Sequence, residues 1–329
     1  MDTQQSLLCV GSFAINDVVH ANGKTEINVA AGNALYSALG SRHVLSNVAV
    51  SAVVGKDWNN TAKASLESLG VDCSLVKSHE GSSLRAWVVY ENSSDRRYLL
   101  RAPEIISLTP NPLGPPVRSE MRGTYESAAR NLHSINCPTP EGVAPQLSQF
   151  SGIHICPMPI EIVGQWVRSI RAHSGALISL DPPPVTSRLE EFEDLLAHVD
   201  IFLPSEAEAK LMYPNLEPEA FLRRMRAIGI PQCVLKLGSE GCLGFTSQNS
   251  EIHRVSAYKK CTVRDTTGAG DVFCGAFLGS YLNSKTLREA MCSATAVASM
   301  YVEDFDPFDP HRNLQAELKN RVRLVTESV

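Results

Sequence analysis

The chain has 329 residues, 43% of them hydrophobic and 20% charged, with a formal net charge of −5. This composition excludes a disordered polymer or a coiled coil, and the acidic balance argues against general nucleic-acid binding, which leaves a basic footprint. No apolar run is long enough to span a bilayer, and the opening MDTQQSLLCVGSF has neither the basic nor the apolar region of a secretory signal, so a cytoplasmic protein with no membrane or nucleic-acid partner is expected.

In chain order, Leu7–Gly11 reads as an opening strand, Ala31–Leu39 as a helix of small residues, Val48–Val54 as a buried strand, and Trp58–Leu69 as an amphipathic helix stopped by Gly70. Leu84–Tyr90 and Arg96–Arg101, separated by the polar ENSSD, give a hairpin signal. Pro103–Pro116 reads as loop and 123–140 as a region carrying one helix. Alternation then resumes. Gly152–Cys156, Ala176–Asp181 and Val199–Leu203 are strands, with helices over Ile160–Ala172 and from Ser205. Gln232–Leu237 and Gly241–Thr246 read as antiparallel neighbours, followed by a strand over Glu251–Tyr258 and two apolar helices, Gly270–Leu282 and Leu287–Tyr301. Such alternation predicts a mostly parallel sheet with helices on its faces. No boundary divides the chain, which reads as one α/β domain over 1–329 with a small β appendage. The nine cysteines form no CxxC pair and lie in apolar runs, as free buried thiols do. His154, in such a run, reads as a core histidine.

The stretch Arg264-Asp265-Thr266-Thr267-Gly268-Ala269-Gly270-Asp271 follows a strand and opens a helix. Gly268, Ala269 and Gly270 permit a tight turn and close ligand approach, and the helix's first N–H groups face outward at the positive end of its dipole. That is a site for phosphate oxygens. Asp271, in the first turn, either caps the helix or accepts a proton from a hydroxyl beside the phosphate.

This string resembles the signature of the pfkB, or ribokinase-like, family of carbohydrate and nucleoside kinases. The resemblance implies a three-layer α/β/α sandwich with a small β lid, here over about 13–30 and 84–101. It implies ATP-dependent phosphorylation of a hydroxyl on a sugar or sugar derivative, with Asp271 as general base and Gly268, Ala269 and Gly270 as the anion hole. A nucleoside is the alternative acceptor, to which Tyr36 would offer a stacking face. A non-catalytic binding or assembly subunit is the alternative of another class.

Other motifs follow in family order. Gly32 and Asn33 open the first helix in the manner of the family's substrate-binding Gly-Gly motif, or simply pack it tightly. The family's substrate-binding Asp stands five residues after a strand-ending Gly. Here Asn16 stands at that distance from Gly11, and the carboxylate is displaced to Asp17. A one-residue shift on a strand faces the other way, so either Asn16 takes the role or a bulge brings Asp17 in. Ser205 and Glu208 resemble the family's Asn-x-x-Glu element, implying that Glu208 helps hold Mg²⁺ through water, and they also form a capping box. Lys236, Gly238, Ser205 and Thr266 fall at nucleotide-binding positions. Lys236 would pair with a phosphate, or else is a solvated strand edge. Asp181 survives from a further family motif whose Asn and Arg are lost. Asp265 and Thr267 match positions near a monovalent-cation (K⁺) site of some relatives. Arg85, Arg96, Arg97 and Arg101 on the hairpin would neutralise an anionic substrate or discourage edge pairing, and some relatives form homodimers through this lid.

Overall fold

The computed structural model describes residues 5–19, 25–58, 60–90, 96–99, 135–185, 188–248, 251–303 and 314–327. The proline-rich loop and the 123–140 helix, apart from residues 135–140, lie outside them, as does Arg101.

Nine strands form the main sheet: β1 (Ser6–Val10), β4 (Asn47–Gly55), β5 (Val71–His79), β8 (Gly152–Ile155), β9 (Leu177–Leu180), β10 (Ile201–Phe202), β11 (Gln232–Lys236), β12 (Cys242–Thr246) and β13 (His253–Val255). Their order is β13-β12-β11-β10-β9-β8-β1-β4-β5, with β12 and β13 antiparallel and the other pairings parallel. Four further strands make a second sheet in the order β3-β2-β6-β7: β2 (Ala14–Val19), β3 (Thr25–Ala31), β6 (Leu84–Tyr90) and β7 (Arg96–Leu99).

Strands buried on both faces need apolar residues at consecutive positions, and β1 shows why. Leu7 and Cys9 pack into one core, Leu8 and Val10 into the other. The first core lies under α1 (Asn33–Arg42), α7 (Ala269–Ser284) and α8 (Leu287–Tyr301). The second lies under α3 (Ile160–His173), α4 (Leu189–Leu196) and α6 (Pro218–Ile228). Helices α2 (Asn60–Ser68), α5 (Glu206–Met212) and α9 (Leu314–Glu327) complete the set among the described residues. The result is the expected three-layer α/β/α sandwich with a β lid.

Helix α7 is apolar nearly all round and is buried accordingly. Phe273, Phe277 and Tyr281 stack along it at centroid separations of 6.3 and 6.2 Å. It lies very close to α1: a Cβ on Gly275 would stand 1.9 Å from the Ser37 carbonyl oxygen.

Several boundaries differ from the sequence reading. Strand β10 covers two residues of the five expected, and β13 three of eight. Strand β5 and helices α4, α6 and α9 were not anticipated. All nine cysteines are free, eight of them buried. Burial pushes the Cys9, Cys137 and Cys242 thiols up to about 12. His154 is buried, with Nδ1 2.8 Å from the Ser179 hydroxyl. No described helix is long and apolar enough to cross a membrane.

Candidate active site

Sheet order reverses between β1 and β8, and open α/β sheets bind ligands outside the carboxyl ends of strands at such a point. One side chain bridges this crevice. Asn33 Oδ1 accepts from the Ser12 N–H at 2.8 Å and from its hydroxyl at 3.3 Å, while Nδ2 donates to the Pro157 carbonyl at 2.8 Å. The loops after β1 and β8 are thereby tied to the start of α1. Gly32 makes this possible. Its φ of 128° is closed to other residues, and a Cβ there would stand 2.3 Å from the Ser12 carbonyl oxygen. Asn33 is thus occupied by the protein, with one Nδ2 proton left for a ligand.

Helix α7 points its N-terminus at the same crevice. Gly268 is its N-cap, with φ 71° and ψ −1°, and the Tyr36 ring packs where a Gly268 Cβ would stand. Tyr36 therefore shields the turn. The Ala269 N–H leans toward the Thr266 carbonyl at 3.3 Å. Among the described residues, the N–H groups of Gly268 and Gly270 have no partner. Asp271, half-buried, sits in the first turn, and its backbone carbonyl accepts from the Ser37 hydroxyl at 3.1 Å. The approach to the helix is fixed too. Arg264 N–H donates to the Val302 carbonyl at 2.7 Å, and Thr267 N–H to Asp265 Oδ1 at 2.7 Å.

Beneath the first turn lie three side chains from three elements. Lys236 Nζ donates to Asp181 Oδ1 at 2.8 Å and contacts Cys274 Sγ at 3.2 Å. Burial alone would favour neutral Lys236, but Asp181, Cys274 and Glu208 together outweigh it and hold the ammonium well above its ordinary pKa. Lys236 is therefore no solvated strand edge. Glu208 and Asp271 are both near enough to be felt at Asp181.

Ser205 caps α5 as a capping box: its N–H donates to Glu208 Oε2 at 2.6 Å, and its hydroxyl accepts from the Glu208 N–H at 3.3 Å. Glu208 keeps acceptor capacity for a further partner. Among the described residues no group of three or more His, Cys, Asp or Glu is arranged to hold a metal. A single carboxylate with oxygen donors fits Mg²⁺, which keeps waters and leans on substrate phosphates. Gly238 is exposed at φ 57°, with nothing within 4 Å of its Cβ position.

In the lid, the register of β2 against β3 shifts between Asn16 and Val18, which is the bulge that sequence reasoning left open. It delivers Asp17 to Arg85. Arg85 donates through Nε to Asp17 Oδ2 at 3.1 Å and through Nη2 to Oδ1 at 3.0 Å, and Asn28 N–H donates to Oδ1 at 3.0 Å. Arg85 also bonds the Asn28 side chain. Asp17 is fully buried and engaged. Asn16, 7% exposed, has no side-chain partner among the described residues.

The structure thus brings Asp271, Gly268, Ala269, Gly270, Thr266, Lys236, Ser205, Glu208, Gly32 and Asn33 to the carboxyl ends of the strands, with Asn16 and Asp17 on the lid. Sequence reasoning missed the roles of Cys274 and Ser37. A thiol one turn into an otherwise apolar helix was the available signal for Cys274.

A family model described as pfkB family carbohydrate kinase matches residues 127–310. The 2-dehydro-3-deoxygluconokinase of Dickeya dadantii is 27% identical over 194 residues, 54% of this chain and 62% of that protein. An uncharacterized sugar kinase of Archaeoglobus fulgidus is 32% identical over 131 residues, 39% of this chain and 50% of that protein. The chain thus matches less than two thirds of the length of these curated relatives. Among solved structures, the ribokinase of Giardia lamblia superposes with a TM-score of 0.75 at 16% identity, covering 98% of this chain and 99% of that one. The Arabidopsis thaliana ribokinase complexed with ribose and ATP gives 0.72 at 16% identity, covering 97% and 99%. At these identities the structural likeness establishes the ribokinase-like fold.

Proposed function

The chain belongs to the pfkB family of carbohydrate kinases, and from that premise we propose that it transfers the γ-phosphoryl group of ATP to a hydroxyl of a sugar or sugar derivative. The observation that carries the reading is the first turn of α7: Asp271 beside the unpartnered N–H groups of Gly268 and Gly270, above a buried ammonium.

The acceptor oxygen attacks the γ-phosphorus, forming one P–O bond as the bond to the ADP oxygen breaks. The Asp271 carboxylate takes the hydroxyl proton. The N–H groups of Gly268 and Gly270 face the charge that develops on the phosphoryl oxygens, with Ala269 shaping the turn between them. Glu208 is the residue that would hold Mg²⁺ through water, and the ion would neutralise phosphate charge. Thr266, Ser205, Gly238 and Lys236 border the nucleotide, and a monovalent cation beside Asp265 and Thr267 belongs to the same proposal. Asn16, whose amide has no side-chain partner among the described residues, and the remaining Asn33 proton bind acceptor hydroxyls, while Gly32 admits the acceptor and Asp17 holds the lid in place. A homodimer through the lid and a cytoplasmic location extend the reading.

The names of the relatives put sugar acids and ribose first among acceptors. The test is ADP release with ATP and Mg²⁺ across sugars, sugar acids and nucleosides, with and without K⁺. Turnover with one acceptor, lost in Asp271→Asn, supports the reading; nucleotide binding without transfer to any acceptor moves it to a binding subunit.

A further inference from the structure

Lys236 stands where a ligand of the nucleotide phosphates was expected, yet two of its three ammonium protons are committed inside the protein. Nζ lies 2.8 Å from Asp181 Oδ1 and 3.2 Å from Cys274 Sγ, and the Cys274 thiol donates to Asp181 Oδ2 at 3.5 Å, closing a ring of three contacts. Asp181 directly follows β9, Lys236 ends β11 and Cys274 lies in α7, so three elements converge here. The Lys236 and Asp181 side chains are only 11% and 5% exposed. A lysine that reaches out to gather phosphates is flexible and solvated; this one is anchored.

Its position is also electrostatically costly. A helix start carries partial positive charge, and Nζ lies only 3.7 Å from the point where a Gly270 Cβ would stand. Asp181 compensates the ammonium, while the Gly268 and Gly270 N–H groups of the turn above have no partner among the described residues.

We propose that Lys236 is a fixed cation serving the charge that builds on the transferring phosphoryl group, with Asp181 and Cys274 as the positioning residues that hold it there. The inference rests on the kinase reading. The third N–H of Lys236, uncommitted among the described residues, is the donor to a phosphoryl oxygen. An ammonium anchored in advance needs no reorganisation as charge develops. An interaction that strengthens only in the transition state raises turnover and leaves nucleotide affinity alone.

Calorimetric titration of the full-length protein with Mg²⁺ and either AMP-PNP or ADP plus aluminium fluoride separates these quantities, since the fluoride complex imitates the phosphoryl group in transfer. Wild type is expected to prefer the fluoride complex. Lys236→Met is expected to cut that preference by at least ~10²-fold while the AMP-PNP Kd stays within about threefold. Asp181→Asn, which loosens the anchor, is expected to cut it by roughly tenfold.

Lys236→Met strands a buried carboxyl and is expected to melt at a lower temperature. Removing both charges in Lys236→Met/Asp181→Leu restores the melting temperature without restoring the preference. A tenfold or greater loss of AMP-PNP affinity in Lys236→Met would make Lys236 a ground-state phosphate ligand and overturn the proposal, on the scale of about 1.4 kcal/mol per tenfold. Recovery of the preference in the double variant would overturn it as well, by reducing the pair to a structural one. Wild type that shows the preference yet phosphorylates no acceptor would instead overturn the kinase reading.

Discussion

Asp271 and Asp17 are both carboxylates of the candidate site, and the molecule treats them in opposite ways. Asp271 is half-buried at the start of a helix that is itself buried along most of its length. Asp17 is fully buried in the lid, held by Arg85 and Asn28. The turn around Asp271 is fixed by the main core; among the described residues of the lid, Val18 and Val88 form a separate small cluster with Val29 packed against them. A candidate site built on a large core keeps its geometry. The lid also carries a polar clamp, and a few substitutions there can change which acceptor fits without touching the chemistry.

The largest expected effect tests the first half of that contrast. Asp271→Asn should lower turnover by ~10²-fold or more, the low end for losing a positioned base, while Mg²⁺·AMP-PNP binding persists. Unchanged turnover in the folded variant would remove Asp271 from the mechanism.

Next is the clamp. Arg85→Ala removes both Arg85 bonds to the buried Asp17 carboxylate, which should destabilise the lid by up to about 3 kcal/mol. The acceptor KM should rise steeply and the nucleotide Kd stay put. If both shift together, lid and body are not separable in the way described.

The body has its own pH sensitivity. Burial, with help from Lys236, lowers His154 to about 3 from 6.5, so the folded state keeps it neutral where the unfolded chain takes up a proton. Its contribution is present above pH 6.5 and is lost as pH falls toward 3. At pH 5 the loss is about 2 kcal/mol. His154→Leu should therefore lose less stability than wild type between pH 7 and pH 5 in denaturant titrations. Parallel losses would mean that His154 is protonated in the folded protein.

Smallest is Asn16→Asp, which restores a carboxylate at the position five residues after Gly11. A change of up to about tenfold in kcat/KM, favouring neutral polyols over acids, is expected from one altered hydrogen bond. Identical acceptor profiles would place Asn16 away from the acceptor.

The contrast also divides what the sequence made legible. The turn at 264–271 could be read because its residues are adjacent and their φ demands, small size and helix-start chemistry are local. Helix α8 matched its expected bounds for the same reason, with a strong period and a clear start. Helix α6 carried usable signals, with Pro218 at its first turn and Gly229 at its end, and Phe221, Leu222 and Met225 on its buried face. Asp17 was illegible because its direction depends on a bulge, which one strand alone does not reveal. The anchoring of Lys236 was illegible because its partners, Asp181 and Cys274, are 55 and 38 residues away.

The bridge made by Asn33 has a consequence for how the molecule comes into being. Its amide joins Ser12 to Pro157, across 124 residues of chain on the longer side. Strand β1 meanwhile sits between β4 and β8, so it has a neighbour on one side early and gains the other only after residue 152 exists. Closing so long a loop is slow compared with local pairing. The crevice therefore cannot exist in a half-made chain. During synthesis or renaturation, the first capture of nucleotide should mark the moment when the two halves of the sheet join, making ligand uptake a clock for assembly.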